Sequence, residues 1–315
     1  MNLSIILPVC NAKSNLTQCL DSLVKQSLRD YEIILVDDGS NKGASDIVKE
    51  YEASFPKRII AIRIENADVG EARNAGLKVA QGEYLSFVNS ECCFETDMYL
   101  KMYSRAVDSN ADIVICDFRE KYPDSKEAYS PLVYGDNKLN FAGPCSNKLL
   151  RRSMIENVLF PQGLSNGELY FSAIMLLKSR RTEHVAEPLY IQNREYESRT
   201  YSNIHDLDII KIMDMLADYM LPRELDADFE FLLINCIGID FISRMASRLI
   251  PDRKVIRELG RYVKKHIPKL SASDSFKKLS LKHKLVCWLN CHSLEQLSQQ
   301  LLNLKVHAWR VFIGP

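Results

Sequence analysis

The 315-residue sequence lacks the features of several large protein classes. Its nine cysteines are odd in number and include no CxxC pair, which argues against a disulfide scaffold and favours a reducing, cytoplasmic compartment. The longest apolar stretch, residues 229–243, contains Glu230, Asn235 and Asp240, so it falls short of the roughly 18 uncharged residues that a membrane-spanning helix needs. No basic segment precedes the first apolar run, and we expect no signal peptide.

Several catalytic signatures are also missing. No GxGxxG follows the first apolar run and no GxxxxGK[ST] occurs, which disfavours a dinucleotide-dependent dehydrogenase and a P-loop enzyme. The six histidines form no HxH or HExxH spacing, and no Ser/His/Asp arrangement can be assigned. The chemistry of this protein must therefore come from other residues.

The sequence has no net charge, but its charges are unevenly distributed. Residues 241–315 contain 15 Lys and Arg against 4 Asp and Glu, a net charge of +11, which leaves −11 on residues 1–240. Between His266 and Gln299 the lysines alternate with apolar residues such as Phe276 and Trp288, a pattern suited to an anionic membrane surface. The alternative is a soluble helix with a solvated basic face. Nucleic-acid binding is disfavoured because aromatic residues are few.

What the sequence does contain is a regular alternation of strands and helices. Strands are predicted at Leu3–Val9, Tyr31–Val36, Ile59–Ile64, Tyr84–Val88 and Ile113–Asp117, with helices between them. This βαβα order predicts an α/β fold with a mostly parallel sheet flanked by helices. Farther on we predict helices around residues 146–155 and 168–179, a strand near 185–191, and an all-helical region from residue 204. The predicted domains are residues 1–203 and 204–315, the second basic from residue 241 onward.

Five short segments occur in a specific order along the first part of the chain. They are Pro8-Val-Cys-Asn11, Cys19-Leu-Asp-Ser-Leu-Val-Lys-Gln26, Glu32-Ile-Ile-Leu-Val-Asp-Asp-Gly-Ser40, Ala72-Arg-Asn-Ala-Gly76 and Ala80-Gln-Gly-Glu-Tyr-Leu-Ser-Phe-Val88. Together they closely resemble the family 2 glycosyltransferases of the GT-A fold, over roughly residues 1–200. The resemblance implies a Rossmann-like domain that binds a nucleotide-sugar, most often a UDP-sugar.

The resemblance assigns donor binding to four residues of these segments and to Asn89 of an acidic motif. Pro8, Asn11 and Asp38 would hold the base and ribose, and the carboxylate of Asp38 can accept the imide N–H of uracil. Alternatively, residues 37–40 form only a turn that caps a helix. Arg73 would bind the pyrophosphate at a helix N-terminus, unless it is a surface residue paired with Glu71 or a neighbouring acid.

The family's acidic motifs are altered in this sequence. Where the family has Asp-x-Asp, this chain has Asn89-Ser-Glu91, so that Asn89 would bind ribose and Glu91 would bind Mn²⁺ or Mg²⁺. Where the family has Glu-Asp ahead of a helix, this chain has Gly167-Glu168, which makes Glu168 the candidate general base. The alternative for Glu168 is a carboxylate that stabilises a helix N-terminus.

These features lead us to expect an inverting glycosyltransferase that uses a nucleotide-sugar and a glycan or lipid-linked acceptor in cell-surface polysaccharide synthesis. We expect it in the cytoplasm, with peripheral binding at the inner face of the membrane and no nucleic-acid partner. Two alternatives stay open. One is a catalytically silent relative that binds nucleotide-sugar or assists assembly, and the other is a membrane-surface assembly protein that works through its helical tail.

Overall fold

The computed structural model describes residues 1–9, 15–39, 42–65, 67–122, 127–129, 137–193, 207–241 and 253–292. The chain divides into two compact units, Met1–Tyr196 and Glu197–Pro315. The domain boundary that the sequence predicts, between residues 203 and 204, lies outside the described residues, and so does Asn11 of the predicted donor site.

The first unit contains nine described strands and five helices. The strands are β1 (Leu3–Val9), β2 (Tyr31–Asp38), β3 (Ile59–Ile64), β4 (Tyr84–Phe87), β5 (Cys92–Phe94), β6 (Ile113–Lys121), β7 (Glu127–Tyr129), β8 (Lys148–Arg151) and β9 (Thr182–Asn193). The helices are α1 (Leu16–Val24), α2 (Lys42–Ser54), α3 (Val69–Val79), α4 (Met98–Ser109) and α5 (Gly167–Lys178), with 3₁₀ turns at Lys138–Phe141 and Arg152–Met154.

The described strands form one mixed sheet in the order β3-β2-β1-β4-β8-β6-β9-β5, and β7 pairs with β6 at its side. The strands β3, β2, β1 and β4 are parallel. β8 is antiparallel to both β4 and β6. It follows that β6 runs in the same direction as β4, so the carboxyl ends of β1, β2, β4 and β6 share one edge of the sheet.

The central strands are mostly apolar because both faces of the sheet are covered, and the buried exceptions Ser4 and Glu32 are hydrogen-bonded to each other at 2.6 Å. Every residue of β1 is buried, from Leu3 to Val9, as expected for a parallel sheet between helices. Helix α3 packs directly on β1 at Gly76, where a Cβ atom would lie 2.5 Å from Cγ2 of Ile6. This close approach fixes the position of α3, and therefore of Arg73, over the sheet.

The region of residues 146–155 differs from the sequence-based prediction. We predicted a helix there, and the structure has strand β8 followed by a 3₁₀ turn. Leu149 and Leu150 are buried between neighbouring strands, with Leu150 opposite both Leu85 of β4 and Ile113 of β6. Pairing on both sides supplies backbone hydrogen bonds and packing that override the local helix preference.

The second unit is helical over its described residues, as predicted. It comprises α6 (Asp208–Met220), α7 (Asp226–Leu232), a π-helix (Leu233–Phe241), α8 (Arg253–His266), α9 (Asp274–Lys278) and α10 (Leu281–Cys291), with 3₁₀ turns at Leu221–Arg223 and Leu270–Ala272. α10 contacts α8 at Gly260, where a Cβ atom would lie 2.6 Å from the carbonyl oxygen of Asn290. Among the described helices, none is long and apolar enough to cross a membrane.

Candidate active site

Three predicted donor-site residues lie at the shared edge formed by the strand ends. Pro8 near the end of β1 is paired with Val36 of β2, and Asp38 is the last residue of β2. Asn89 lies two residues beyond Phe87, which pairs with Ile6 of β1. Because β2, β1 and β4 are adjacent and parallel, these residues face the crevice where open α/β sheets bind ligands.

Asp38 ends strand β2, and its side chain is hydrogen-bonded to the segment before α3. Its Oδ1 accepts a hydrogen bond from the backbone N–H of Ala67 at 2.8 Å. Gly39 follows with a φ of +52°, in the left-handed region that favours glycine. The side chain of Asp38 is partly exposed. The observed hydrogen bond joins Asp38 to Ala67, and residues 40 and 41 lie outside the described residues, so a helix-capping turn and the recognition of a base both stay predictions.

Arg73 projects from α3, whose N-terminus is capped by Asp68, a carboxylate that accepts from the N–H groups of Gly70 at 2.6 Å and Glu71 at 2.9 Å. The Arg73 residue is only 2% exposed. Its Nη2 donates to Oδ1 of Asn89 at 2.8 Å and to Oε1 of Glu168. The alternative of a surface arginine is therefore wrong, because Arg73 is buried and its acidic partner is Glu168.

Glu168 lies in the first turn of α5, and its side chain is 23% exposed. Its Oε1 accepts from Arg73, and its Oε2 accepts from the backbone N–H of Cys145 at 2.9 Å. Burial by itself would raise the pKa of the Glu168 carboxyl. The Arg73 guanidinium and the Cys145 N–H outweigh this effect, so the pKa lies below its ordinary value. Glu168 is consequently ionised at neutral pH.

The structure thus joins Arg73, Asn89 and Glu168 in one hydrogen-bonded group. Their positions in the sequence are 16 and 95 residues from Arg73. The family resemblance implies separate roles for these residues: Arg73 with the pyrophosphate, Asn89 with the ribose and Glu168 with the acceptor. The Arg73 Nε–H is a buried donor that has no hydrogen-bond partner among the described residues.

Asn74 is a positioning residue that the sequence analysis quoted without giving it a role. Its side-chain amide donates to the carbonyl of Phe160 at 2.9 Å and accepts from the N–H of Phe160 at 2.9 Å. The Phe160 ring stacks on Phe171 of α5 at 4.0 Å between centroids, and the Arg73 guanidinium lies 5.0 Å from the Phe160 ring. Asn74 therefore holds the segment that leads into the helix carrying Glu168.

A buried lysine near Glu168 was also missed. Lys148 of β8 is 2% exposed, and its Nζ donates to Oδ1 of Asn147 at 3.1 Å and to the carbonyl of Pro144. Burial lowers the pKa of the Lys148 ammonium. The incorrect helix prediction concealed this residue, since only strand pairing brings residues 145–148 beside α5.

The candidate metal ligand, Glu91, is an exposed residue in the turn between β4 and β5. Among the described residues, no group of three or more His, Cys, Asp or Glu side chains could hold a metal ion by itself. Enzyme Mg²⁺ sites commonly use one or two carboxylates together with substrate phosphates. The single carboxylate of Glu91 fits a cation that arrives with a diphosphate.

Cys92 and Cys93, which follow Glu91, are part of the core. Both are buried in β5, and Sγ of Cys92 lies 2.9 Å from the hydroxyl oxygen of Tyr190. Burial raises the pKa of the Cys92 thiol to about 12. A neutral, buried thiol is a poor metal ligand, so these two cysteines contribute to the core rather than to a metal site.

Comparison with known proteins identifies relatives of this chain. A model described as glycosyl transferase family 2 matches residues 4–163. The chain is 32% identical over 211 residues to the putative glycosyltransferase EpsH of Bacillus subtilis, with 59% of each sequence covered. It is 32% identical over 180 residues to a poly(ribitol-phosphate) beta-glucosyltransferase of Bacillus spizizenii, with 53% of this chain and 28% of that protein covered. Both matches span less than two thirds of the relative's length.

Solved structures share the fold of the chain. Residues 1–349 of S. aureus TarS in complex with UDP-GlcNAc superpose with a TM-score of 0.72 at 17% identity, covering 98% of this chain and 92% of that one. The mannosyltransferase PcManGT of Pyrobaculum calidifontis, solved with GDP-Man and Mn²⁺, gives a TM-score of 0.51 at 10% identity, covering 96% and 86%. At such identities the likeness concerns the fold, and it confirms the predicted GT-A architecture followed by a helical region.

Proposed function

The chain belongs to glycosyl transferase family 2, and from this membership we propose that it transfers a sugar from a nucleotide-sugar to a glycan or lipid-linked acceptor. The observation that carries the proposal is the hydrogen-bonded group of Arg73, Asn89 and Glu168 at the carboxyl edge of the parallel strands. It combines an ionised carboxylate with a buried cation where ligands of such sheets bind.

We propose a UDP-sugar as the donor. Asp38 at the end of β2 offers a carboxylate that can accept the imide N–H of uracil, and Pro8 lies near the end of the neighbouring strand β1. Asn11, which lies outside the described residues, keeps the ribose or base role that the family resemblance implies. TarS, which has the same fold, is known in complex with UDP-GlcNAc. The poly(ribitol-phosphate) relative supports a polymer of the cell surface as the product class. The absence of disulfides among the described cysteines is in keeping with a cytoplasmic location.

The proposed reaction is a single displacement with inversion. Glu168 takes the proton from the acceptor hydroxyl while that oxygen forms a bond to the anomeric carbon, and the bond from this carbon to the diphosphate breaks. The nucleoside diphosphate leaves with the bonding electron pair. Arg73 supplies a fixed positive charge beside the leaving diphosphate, to which its unpaired Nε can donate. Asn89 remains the proposed ribose ligand.

Glu91 is the residue that would hold Mn²⁺ or Mg²⁺ in this reaction. A divalent cation bound there together with the diphosphate would neutralise negative charge on the leaving group. Asn89 brings no charge to this site, so cation binding rests on the Glu91 carboxylate and on the phosphates of the donor.

The test is turnover by the purified full chain in a screen of UDP-, GDP- and dTDP-sugars, with nucleotide release as the readout. The variant Glu168→Gln should lower kcat about 100-fold or more while leaving the Kd for UDP nearly unchanged. Its matched control is Glu71→Gln, which removes an acidic residue from the first turn of α3 and should leave kcat intact. Normal turnover by Glu168→Gln would return Glu168 to a structural role.

A second candidate function is nucleotide-sugar binding without turnover. It is favoured by the occupation of both Glu168 oxygens, by Arg73 and by the Cys145 N–H. A general base must turn one of these oxygens toward the acceptor. Tight UDP binding combined with no turnover of any nucleotide-sugar, with or without Mn²⁺, would decide for this function.

A further inference from the structure

Helix α10 of the second unit has an exposed apolar face. Leu281 is 85% exposed, Leu285 is 45% exposed and Trp288 is 43% exposed. Their spacing of four and three residues places them on one side of the helix. The opposite side, with Val286, Cys287 and Leu289, is buried. The sequence analysis expected Phe276 on the same apolar surface, but Phe276 is only 8% exposed.

Basic side chains surround this apolar face. Lys277 and Lys278 are exposed in α9 immediately before it, and Lys284 lies on α10 itself. The exposed side of the neighbouring helix α8 adds a further group of basic residues: Arg257, Arg261, Lys264 and Lys265. Acidic side chains also lie nearby. Asp274 pairs with Lys277 at 2.9 Å, Glu258 lies on α8, Glu230 accepts from Ser273 at 2.7 Å, and Asp214 accepts from Tyr262 at 2.6 Å.

A cavity of about 320 Å³ opens between α8 and α10 beside Trp288. Lys264, Lys269 and His292 contribute to its walls, and the His292 ring stacks on the Trp288 ring at 4.4 Å between centroids. Trp288 therefore belongs both to the apolar face and to a mostly apolar cavity that has two lysines in its lining. Tryptophan is enriched at membrane–water interfaces, where its ring lies at the level of the headgroups. At α10 the leucines would then face the acyl chains and the lysines would face the phosphates.

We propose that the exposed face of α10, formed by Leu281, Leu285 and Trp288, docks on an anionic lipid bilayer. The leucines and the indole enter the interface while the surrounding lysines, including Lys264 and Lys269 beside the cavity, contact the phosphates of anionic headgroups. Charge favours this occupant over the chain's own C-terminal segment. Residues 293–315 carry Lys305 and Arg310 against Glu295, a net charge of +1, and so provide no acidic complement to the lysines.

The first experiment follows Trp288 in the full chain. The variant Trp309→Phe leaves Trp288 as the single tryptophan of the protein. Adding vesicles of 30% phosphatidylglycerol in phosphatidylcholine at low salt should shift its emission to the blue, and brominated acyl chains should quench it. Both effects should fall steeply as salt is raised toward 0.5 M. An emission spectrum that ignores these vesicles at low salt would overturn the proposal.

The second experiment compares matched variants by vesicle cosedimentation. Lys277→Gln, Lys278→Gln and Lys284→Gln combined should weaken binding by about 100-fold, since each lysine near an anionic surface contributes about 1 kcal/mol, or about fivefold. The control is Lys25→Gln, Lys49→Gln and Lys57→Gln, which removes the same charge from exposed positions of the first unit. Equal losses in the two triple variants would overturn a specific docking face.

The apolar part of the face is tested in the same assay. Leu281→Ser with Trp288→Ser should weaken binding by at least tenfold, whereas Leu100→Ser with Val107→Ser, at positions 42% and 53% exposed on α4, should not change it. Light scattering of both double variants checks the competing occupant, a second copy of the chain. If Leu281→Ser with Trp288→Ser causes an oligomer to dissociate and leaves vesicle binding unchanged, the face is a self-association surface and the membrane proposal is wrong.

Discussion

Removing the charge of Glu168 should destabilise the first unit by about 3 kcal/mol at neutral pH. The substitution Glu168→Gln leaves the Arg73 guanidinium, 2% exposed, without a counter-charge. Breaking a buried ion pair by removing one partner costs about 3–5 kcal/mol. The lower end applies here, because a glutamine amide keeps an oxygen that can accept from Arg73 and because the Glu168 side chain is 23% exposed.

The pair should also show strong energetic coupling. Arg73→Met leaves the largely buried Glu168 carboxylate without a counter-charge and with only neutral hydrogen-bond donors, among them the Cys145 N–H, so this variant is destabilised as well. The double variant contains no uncompensated charge, and its cost should be about 2 kcal/mol less than the sum of the two single costs. Independent, additive costs would mean that the two charges do not interact appreciably in the folded protein.

The coupling should depend on pH in one direction. The pKa of Glu168 is held below its ordinary value in the folded state. A depressed carboxyl pKa adds stability that is fully present above the unfolded value of about 4.3 and is lost as the pH falls through the folded value. Wild type should therefore lose this contribution on acidification below about pH 4.3, while Glu168→Gln should lack it at every pH. A coupling that grew on acidification would refute the assigned charge state.

Hydrogen exchange read by mass spectrometry is the assay, because it reports on α3 and α5 separately. Tryptophan fluorescence does not serve, since both tryptophans, Trp288 and Trp309, belong to the second unit. In Glu168→Gln, the peptides of α3 and α5 should lose protection from exchange. The control Glu71→Gln removes an acidic residue only from the first turn of α3, and it should change the free energy of opening of these peptides by less than about 1 kcal/mol. A loss below 1 kcal/mol in Glu168→Gln would refute the buried-pair argument.

Three further outcomes are expected. Asp38→Ala should weaken UDP binding by more than tenfold in calorimetry, and Asp38→Asn, which keeps an acceptor for the Ala67 N–H, separates base recognition from loss of that hydrogen bond. Transfer should stop in EDTA and return with Mn²⁺, and Asn89→Asp should lower the Mn²⁺ concentration required; full activity in EDTA would remove Glu91 from metal binding. Asn74→Ala should cost about 2–4 kcal/mol in urea unfolding followed by far-UV circular dichroism, because it leaves the buried N–H and carbonyl of Phe160 unpaired.

The parallel half of the fold could be predicted from the sequence because its signals are local. The apolar runs at residues 3–9 and 59–64 coincide with β1 and β3, and α1 is the helix predicted between the first two strands. Strands covered on both faces need only continuous hydrophobicity, which is visible in a single segment. The same reasoning located the strand ends, and with them Pro8, Asp38 and Asn89.

The other half of the sheet depends on contacts between distant segments. β8 is stabilised by pairing with both β4 and β6. The four residues 148–151 contain no pattern that identifies those partners. β5 consists of three residues paired with β9, about 100 positions later. Short strands with distant partners have no period long enough to distinguish them from a helical turn, which explains why β8 was predicted as a helix.

The candidate site shows the same division between what is local and what is not. Residue types at strand ends and helix starts could be selected from the sequence, but their pairing could not. Asn74 lies beside Arg73 in a motif that the sequence analysis quoted, yet its two bonds to Phe160 span 86 residues. Both bonds go to the main chain of Phe160, which every non-proline residue also offers, so the residue type at position 160 gives no signal of this contact.

The two departures from the family's acidic motifs make physical sense as one charge arrangement. With asparagine at position 89, the Arg73 Nη2 group donates to a neutral oxygen and to one carboxylate, so the buried charges of Arg73 and Glu168 balance. An aspartate at position 89 would place a second negative charge on the same guanidinium, and like charges raise each other's pKa. The neutral side chain therefore keeps the whole effect of Arg73 on Glu168, whose pKa is low as a result. The consequence for catalysis is specific: Glu168 is ionised and ready to accept a proton, but it is a weaker base for as long as Arg73 remains its partner. A donor diphosphate that draws Arg73 toward itself would raise the basicity of Glu168 only once the donor is bound.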